Sequence, residues 1–373
     1  MTNFQSTTGF FGQYIEIYFS QKFITKLKVE NLRTILVATE KESDKLHVAK
    51  SKRIVAIALI LMITLGLTSV NAQDNTKKVI LGGTPFGLKI FTNGVIVIEI
   101  DENDSPAQNA GLKVNDIITK ADNIVIDSNE QLKEIIENSN GKQVTLTVKR
   151  NDEVLTKTII PKKDVNNNYV LGMWIRDSTA GIGTVTYFDE ESQTFGALGH
   201  GICDKDTNML MPLRDGEIQS ATISNCTKGT DSSIGGLNGY FNNEKIGDIT
   251  VNNGFGIYGN YQYTDCNRVA EVAKEEEIKT GQASILSTLD GTTPKEYSVE
   301  ITKVNISDKN GQNLVIKVTD EELISQTGGI VQGMSGSPIL QNGKLVGAVT
   351  HVFINSPQKG YGIYIGNMLN VTR

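Results

Sequence analysis

The stretch GGIVQGMSGSPILQNGKLVGAVTH, Gly328 to His351, sets two serines among glycines, ahead of a proline and an alternating apolar run. A serine hydroxyl is a poor nucleophile at its free pKa. It needs a neutral imidazole within hydrogen-bond reach, an acid to fix that imidazole's tautomer, and donors for the developing oxyanion. Ser335 has Gly333 two residues before it, so the backbone N–H groups of Gly333 and Ser335 can converge on one point with no Cβ in the way. Ser337 precedes Pro338, which pushes it to extended geometry, and it reads as structural. A glycine-rich turn without chemistry is the other reading of the same residues.

Three histidines are available to serve such a serine. His47 precedes a long apolar run, and His351, in the strand after the serine motif, reads as a packed or half-exposed strand residue. His200, in the glycine-bracketed turn FGALGHGI, reads alone as a core histidine and, beside the serine motif, as general base and then acid. The acid has mid-chain candidates in Asp231 and Asp248. Cys203, Cys226 and Cys266 are widely spaced and form no CxxC pair, which allows at most one disulfide and gives no close pair of zinc ligands. They read as buried thiols, and no metal or other cofactor is implied.

These residues must be positioned by a chain of 373 residues, 39% hydrophobic and 21% charged, an ordinary composition for globular material in two or three domains. The formal charge of −6 leaves no basic excess to displace counterions from phosphates and argues against a nucleic-acid binder. Residues 1–53 carry no motif and read as an N-terminal tail, either cytoplasmic or the product of a start assigned too early. At 54–72 lies IVAIALILMITLGLTSV followed by NA, uncharged and preceded by KSKR. At about 1.5 Å per residue the apolar run spans roughly 25 Å, which suits either a short membrane anchor or a signal peptide, with everything downstream outside the cytoplasm.

From Gly82 the pattern becomes short alternating strands around one good helix. Ser128 and Gln131 form a capping box, Leu132, Ile135 and Ile136 supply the apolar face, and Asn140-Gly141 ends it, while Val144, Leu146 and Val148 share one face of a strand. The segment SPAQNAGLKVNDIITKADN with that helix and strand resembles a PDZ domain over 82–163, a small sheet with helices. The family's usual Gly-Asp after the short helix is Asn115-Asp116 here, tolerable because Asn accepts positive φ. The resemblance implies a carboxylate-binding loop at Phe86, Gly87 and Leu88 in TPFGLKI, taking a peptide C-terminus or internal segment as an added strand; a hairpin closure that binds nothing is the alternative.

After the polar linker DVNNN, glycine-dense short strands predict an all-β sandwich or barrel region over 170–373, large enough for two small barrels or one large one. Gly-x-Ser-Gly-Ser-Pro followed by LVGAVTH resembles the nucleophile region of chymotrypsin-like serine peptidases. With FGALGHGI, IGDITVNNGFGIYG and KEYSVEITKV behind a PDZ domain, the chain is similar to the stage IV sporulation protein B peptidases of endospore-forming bacteria. That resemblance implies a mostly β protein with a chymotrypsin-like double β-barrel and a triad of His200, Ser335 and, fifteen residues before the serine, Asp320. Asp320 also suits a helix N-cap. It further implies a serine endopeptidase of the space between forespore and mother cell, which cleaves itself and a membrane-bound regulator of an intramembrane metalloprotease, allowing activation of sigma factor K. A catalytically inactive PDZ-containing binding module and a general extracytoplasmic quality-control protease are the alternatives.

Overall fold

The computed structural model describes residues 76–262 and 264–372. The expected tail and the apolar segment at 54–72 lie outside the described residues, and no helix among those described is long and apolar enough to cross a membrane.

Strands dominate, as the alternating runs predict. Six of them close a ring: Pro85–Ile100, Met173–Asp189, Thr194–Ala197, Gly256–Tyr261, Gly236–Asn253 and Leu213–Thr227, the last returning to pair with the first. Phe86, Ile90, Phe195, Ile218 and Ile257 fill it and are fully buried. A second closed barrel runs Gly281–Ser287, Lys295–Val304, Leu314–Val318, Ser356–Tyr364, Lys344–Phe353 and Pro338–Gln341, around Ile285, Ile301, Ile316, Ile339 and Val349. Each such side chain contributes about 1.5–3 kcal/mol by leaving water, and closure removes the exposed edges that open sheets carry.

Two strands of the first ring are longer than the ring needs. Pro85–Ile100 pairs with Met173–Asp189 from Pro85↔Thr184 to Phe91↔Ser178, and resumes after a register shift from Ile96↔Arg176 to Ile100↔Met173. At the shift Gly94 sits at φ +95° and the buried Thr92 hydroxyl donates to the Asp177 carbonyl at 3.0 Å. Beyond it the same strands belong to the PDZ-like body, where they join Ile117–Ala121, Val144–Arg150 and Glu153–Ile159.

Local readings of this body agree with the structure. The helix is Asn129–Asn138, capped by Ser128, whose hydroxyl accepts from Gln131 N–H at 3.1 Å. Gln131 reaches back to Asp127 N–H at 2.8 Å, one residue outside the expected capping-box partner. Asn115 takes φ +73°, and Val144, Leu146 and Val148 are fully buried with Leu132 and Ile136.

The expected extent differs at both ends. Phe86, Gly87 and Leu88 lie inside the first ring, paired on one side with Gly183, Ile182 and Gly181 and on the other with Ser220, Gln219 and Ile218. Their N–H groups therefore form no anion nest and no strand can be added there, which corrects the expected carboxylate-binding loop. The apolar alternation of this segment suits a barrel strand equally well, and only its distant partners decide. At the other end Leu171, Met173 and Ile175 pack into the core of the PDZ-like body, past the expected limit at 163.

The turn at Asn115-Asp116 carries a buried charge. The Asp116 carboxylate, fully shielded, accepts from Lys113 N–H at 2.8 Å and from Arg150 Nε and Nη2 at 2.7 and 2.8 Å. Removing one partner of such a pair costs about 3–5 kcal/mol. Arg150→Ala should therefore strip hydrogen-exchange protection from 117–121 and 144–150 while strands of the second barrel keep theirs; equal protection in the variant contradicts this.

Candidate active site

The helix Glu321–Thr327 stops at Gly328 in the left-handed region, φ +79°, with its N–H bonded to the Ile324 carbonyl at 2.9 Å. The chain then buries Ile330 and Val331 and turns sharply through Gly333 and Gly336, both at φ +95°. A Cβ on Gly336 would come within 1.9 Å of the Thr184 carbonyl oxygen, so no larger residue fits. Met334 is fully buried, and this roots the turn and leaves Ser335 half-exposed at its crest. Ser337, fully buried, donates to Ser287 Oγ at 3.1 Å, the structural role expected of it.

The turn belongs to the second barrel, yet it is pinned by a strand of the first. Thr184 Oγ1 donates to the Gly333 carbonyl at 2.7 Å, Thr184 N–H to the Ser335 carbonyl at 3.0 Å, and Thr186 Oγ1 to the Gly336 carbonyl at 2.8 Å. Two more bonds orient the peptide planes. The Gln332 carbonyl accepts from Leu237 N–H at 2.8 Å, and the Met334 carbonyl from Ser337 N–H at 2.9 Å. In a planar trans peptide the N–H points opposite to the carbonyl, so the N–H groups of Gly333 and Ser335 are turned away from these partners. Neither donates to any group among the described residues, and both residues line an open cleft of about 900 Å³.

His200 lines the same cleft. It follows Leu198 and Gly199, at φ +68° and +71°, and a Cβ on Gly199 would meet the Thr350 methyl at 2.9 Å. A leucine in this region is strained, a feature that concentrates at functional sites. The half-buried imidazole has Nδ1 at 2.9 Å from the Gly201 carbonyl oxygen. With Nδ1–H as donor there, Nε2 carries the lone pair. Burial lowers the His200 pKa to about 4, the Gly201 bond opposing it and the neighbouring His351 adding to it. At neutral pH the ring is therefore uncharged, the form a general base requires.

A register shift between Val349 and Val352 leaves Thr350 and His351 out of the regular ladder. Such bulges re-aim side chains beside active sites. Here the Thr350 carbonyl accepts the Ser335 hydroxyl at 2.8 Å, and the His351 ring lies against that of His200, centroids 4.8 Å apart. The Thr350 hydroxyl is buried without a partner. Ser335 thus points at a backbone carbonyl, with His200 across the same cleft and not yet hydrogen-bonded to it.

Asp320 is placed elsewhere. It is the N-cap of Glu321–Thr327, Oδ1 accepting from Leu323 N–H at 3.0 Å and Oδ2 from Ser298 N–H at 3.2 Å, and it does not line the cleft. The expected triad acid is thus, in this structure, the helix cap that the same residues also suggested. Asp248 pairs with Lys245 at 2.6 Å, and no carboxylate among the described residues is hydrogen-bonded to His200. The three cysteines are free and none is fully buried, Cys203 being exposed at the cleft, which corrects the expected buried thiols. Sequence reasoning missed Thr184, Thr186 and the aim of Thr350 and His351. The alternation in GIGTVTYF would have put the two threonines on one face, with nothing to name their partner.

In the PDZ-like body Glu153–Ile159 forms one sheet edge, paired only with Val144–Arg150, and residues 173–176 form another. Residues 173–176 pair with 96–100 on one side only, and Trp174 there is 65% exposed. Asp177 ties this strand to the start of Asn129–Asn138 by accepting Asn129 N–H at 2.8 Å.

Residues 167–369 match the family model of the SpoIVB peptidase S55, and residues 64–160 match that of the PDZ domain. Among solved structures, the chain is similar to the PDZ domain of the SdrC-like protein from Listeria monocytogenes at 24% identity, covering 22% of this chain and 87% of that one, with a TM-score of 0.21. It is also similar to the active form of the Rv3671c protease from M. tuberculosis at 12% identity, covering 52% and 72%, with a TM-score of 0.31. No curated protein matches the chain. The structural likenesses are remote; the family match, which spans more than half of the sequence and includes His200 and Ser335, carries the assignment. The chain belongs to the SpoIVB peptidase S55 family and is a serine peptidase.

Proposed function

We propose that the chain is an endopeptidase in which Ser335 attacks the scissile carbonyl, His200 removes and returns the proton, and the N–H groups of Gly333 and Ser335 bind the oxyanion. The observation that carries this reading is the pair of unengaged N–H groups flanking the Ser335 hydroxyl in a cleft that also holds a neutral imidazole. For reaction the hydroxyl must turn from the Thr350 carbonyl to His200 Nε2. Its proton passes to that nitrogen as Oγ bonds the substrate carbon, and the imidazolium then protonates the leaving amine. A water attacks the acyl-enzyme by the same route in reverse. The Gly201 carbonyl holds the ring's tautomer, the part otherwise taken by an acid. Two barrels, with Ser335 on one and His200 in a loop of the other, support a chymotrypsin-like organisation.

We place this activity outside the cytoplasm, between forespore and mother cell, acting on the chain itself and on a membrane-bound regulator of an intramembrane metalloprotease in the sigma factor K pathway. Family membership and the apolar sequence at 54–72 support that placement. Peptide capture falls to the open edge at 173–176, where an added strand finds unpaired backbone groups.

Ser335→Ala should abolish self-cleavage and substrate cleavage while the protein still unfolds cooperatively; undiminished proteolysis by the folded variant overturns the proposal. Asp320 gives a sharper discrimination, because Asn caps a helix as well as Asp does. Asp320→Asn should retain kcat/KM and the bond to Leu323 N–H while giving up the exposed one to Ser298 N–H, whereas Asp320→Ala loses both and about 0.5–2 kcal/mol of stability. A loss of about 10⁴-fold in kcat for Asp320→Asn would instead mark it as the orienting acid. The pH profile follows from His200. Its pKa is depressed when folded, so the unfolded chain binds the extra proton first: stability should hold above the ordinary value of 6.5 and fall as pH drops toward about 4, whereas kcat/KM, which follows the folded ring, should hold to lower pH and show its acid limb near 4. In His351→Ala, which admits water beside the ring, the acid limb of kcat/KM should move up toward the ordinary imidazole value.

A further inference from the structure

The cleft around Ser335 is lined without a single Asp, Glu, Lys or Arg side chain. Ile330, Val331 and Leu237 stand on the side of the nucleophile turn, Val352 lies on the strand that carries His351, and Ile354 lies in the turn just after it. Two isoleucines at the cleft stay in water, Ile354 at 67% and Ile234 at 39% exposure, although most large aliphatic side chains among the described residues are buried. Gly236 and Gly239 add no side chain to the facing wall. The other polar side chains present are uncharged: Thr179 and the exposed Gln332 line the cleft, Asn238 is already committed to Asn225 and Thr227, and the Thr350 hydroxyl is buried and unpartnered.

We infer that this cleft takes an extended polypeptide segment with uncharged, aliphatic side chains beside the bond that is cut, and discriminates against carboxylate and ammonium groups there. The inference rests on the reading of Ser335 as nucleophile. Apolar area on Ile234 and Ile354 leaves water only when a substrate side chain covers it, which favours aliphatic groups. A charged side chain entering the same space finds no partner of opposite sign and loses its hydration, so its binding is penalised in ground state and transition state alike. The His200 imidazole is held uncharged at neutral pH by its burial, and partial desolvation lowers the pKa of the exposed His351 ring. The wall also lacks the fixed ion that would select a basic or acidic residue.

The test uses the purified full chain with peptides identical except at the residue preceding the cut, carrying Leu, Val, Lys or Glu. Cleavage at Leu or Val should exceed that at Lys or Glu by about 10²-fold in kcat/KM. Ile354 is exposed, so Ile354→Asp leaves the barrel intact and should raise the Lys-to-Leu ratio by about tenfold, with Ile234→Asp, at the other exposed isoleucine of the cleft, as a second installation. Equal or faster cleavage at Lys or Glu, absent in Ser335→Ala, overturns the inference and leaves the peptidase standing. So does an unchanged ratio in both aspartate variants. If no peptide is cut in a Ser335-dependent way, the peptidase reading itself falls.

Discussion

Two buried threonines on one strand of the first barrel hold the nucleophile turn of the second. Thr184 and Thr186 reach residues 149 and 150 positions further along the chain, and take up the carbonyls of Gly333 and Gly336. The turn has little else to hold it, since four of its five residues from 333 to 337 are serine or glycine without a large side chain to pack, and two carry positive φ. Left to itself such a segment samples many conformations, at an entropic cost for each that must be suppressed. The threonine bonds, with those from Leu237 and Ser337, select one. The direction of the Gly333 and Ser335 N–H groups follows from that selection rather than from local sequence.

Electrostatically the cleft is nearly empty. His200 is uncharged, its Nδ1 is held by a backbone carbonyl, and no carboxylate is bonded to it. An oxyanion formed here would be the first fixed negative charge in the cleft, so its stabilisation depends on oriented backbone dipoles in a partly desolvated space, where they act more strongly than in water. The uncharged walls and the low basicity of His200 go together, since burial of the ring in a cleft lined largely by aliphatic side chains disfavours its charged form.

The parts of the fold set by short-range physics could be read from residues alone. Ser128 caps the predicted helix, Asn115 takes the positive φ its side chain tolerates, Val144, Leu146 and Val148 share a buried face, and Gly333 and Ser335 bracket a turn whose N–H groups stay unengaged. What could not be read depends on partners far along the chain. Phe86-Gly87-Leu88 has the same alternation whether it borders a groove or runs between Met173–Asp189 and Leu213–Thr227, and the structure chooses the latter. Asp320 stands at the right place for a cap and at a plausible distance for an acid, and only the neighbours Leu323 and Ser298 distinguish these. His351 looked like an ordinary strand residue because a bulge leaves no mark in sequence beyond its own two residues.

The long strands Pro85–Ile100 and Met173–Asp189 join the PDZ-like body to the first barrel with no linker between them. Excising the family's peptidase portion at Asn167 would therefore discard Pro85–Ile100 and open the ring, baring the edges of both Met173–Asp189 and Leu213–Thr227. Those bared edges are templates for pairing with other chains, and the strand that carries Thr184 would be one of them. In this architecture the peptidase body is completed by residues that precede the inserted one, so neither can be trimmed away as a detachable module.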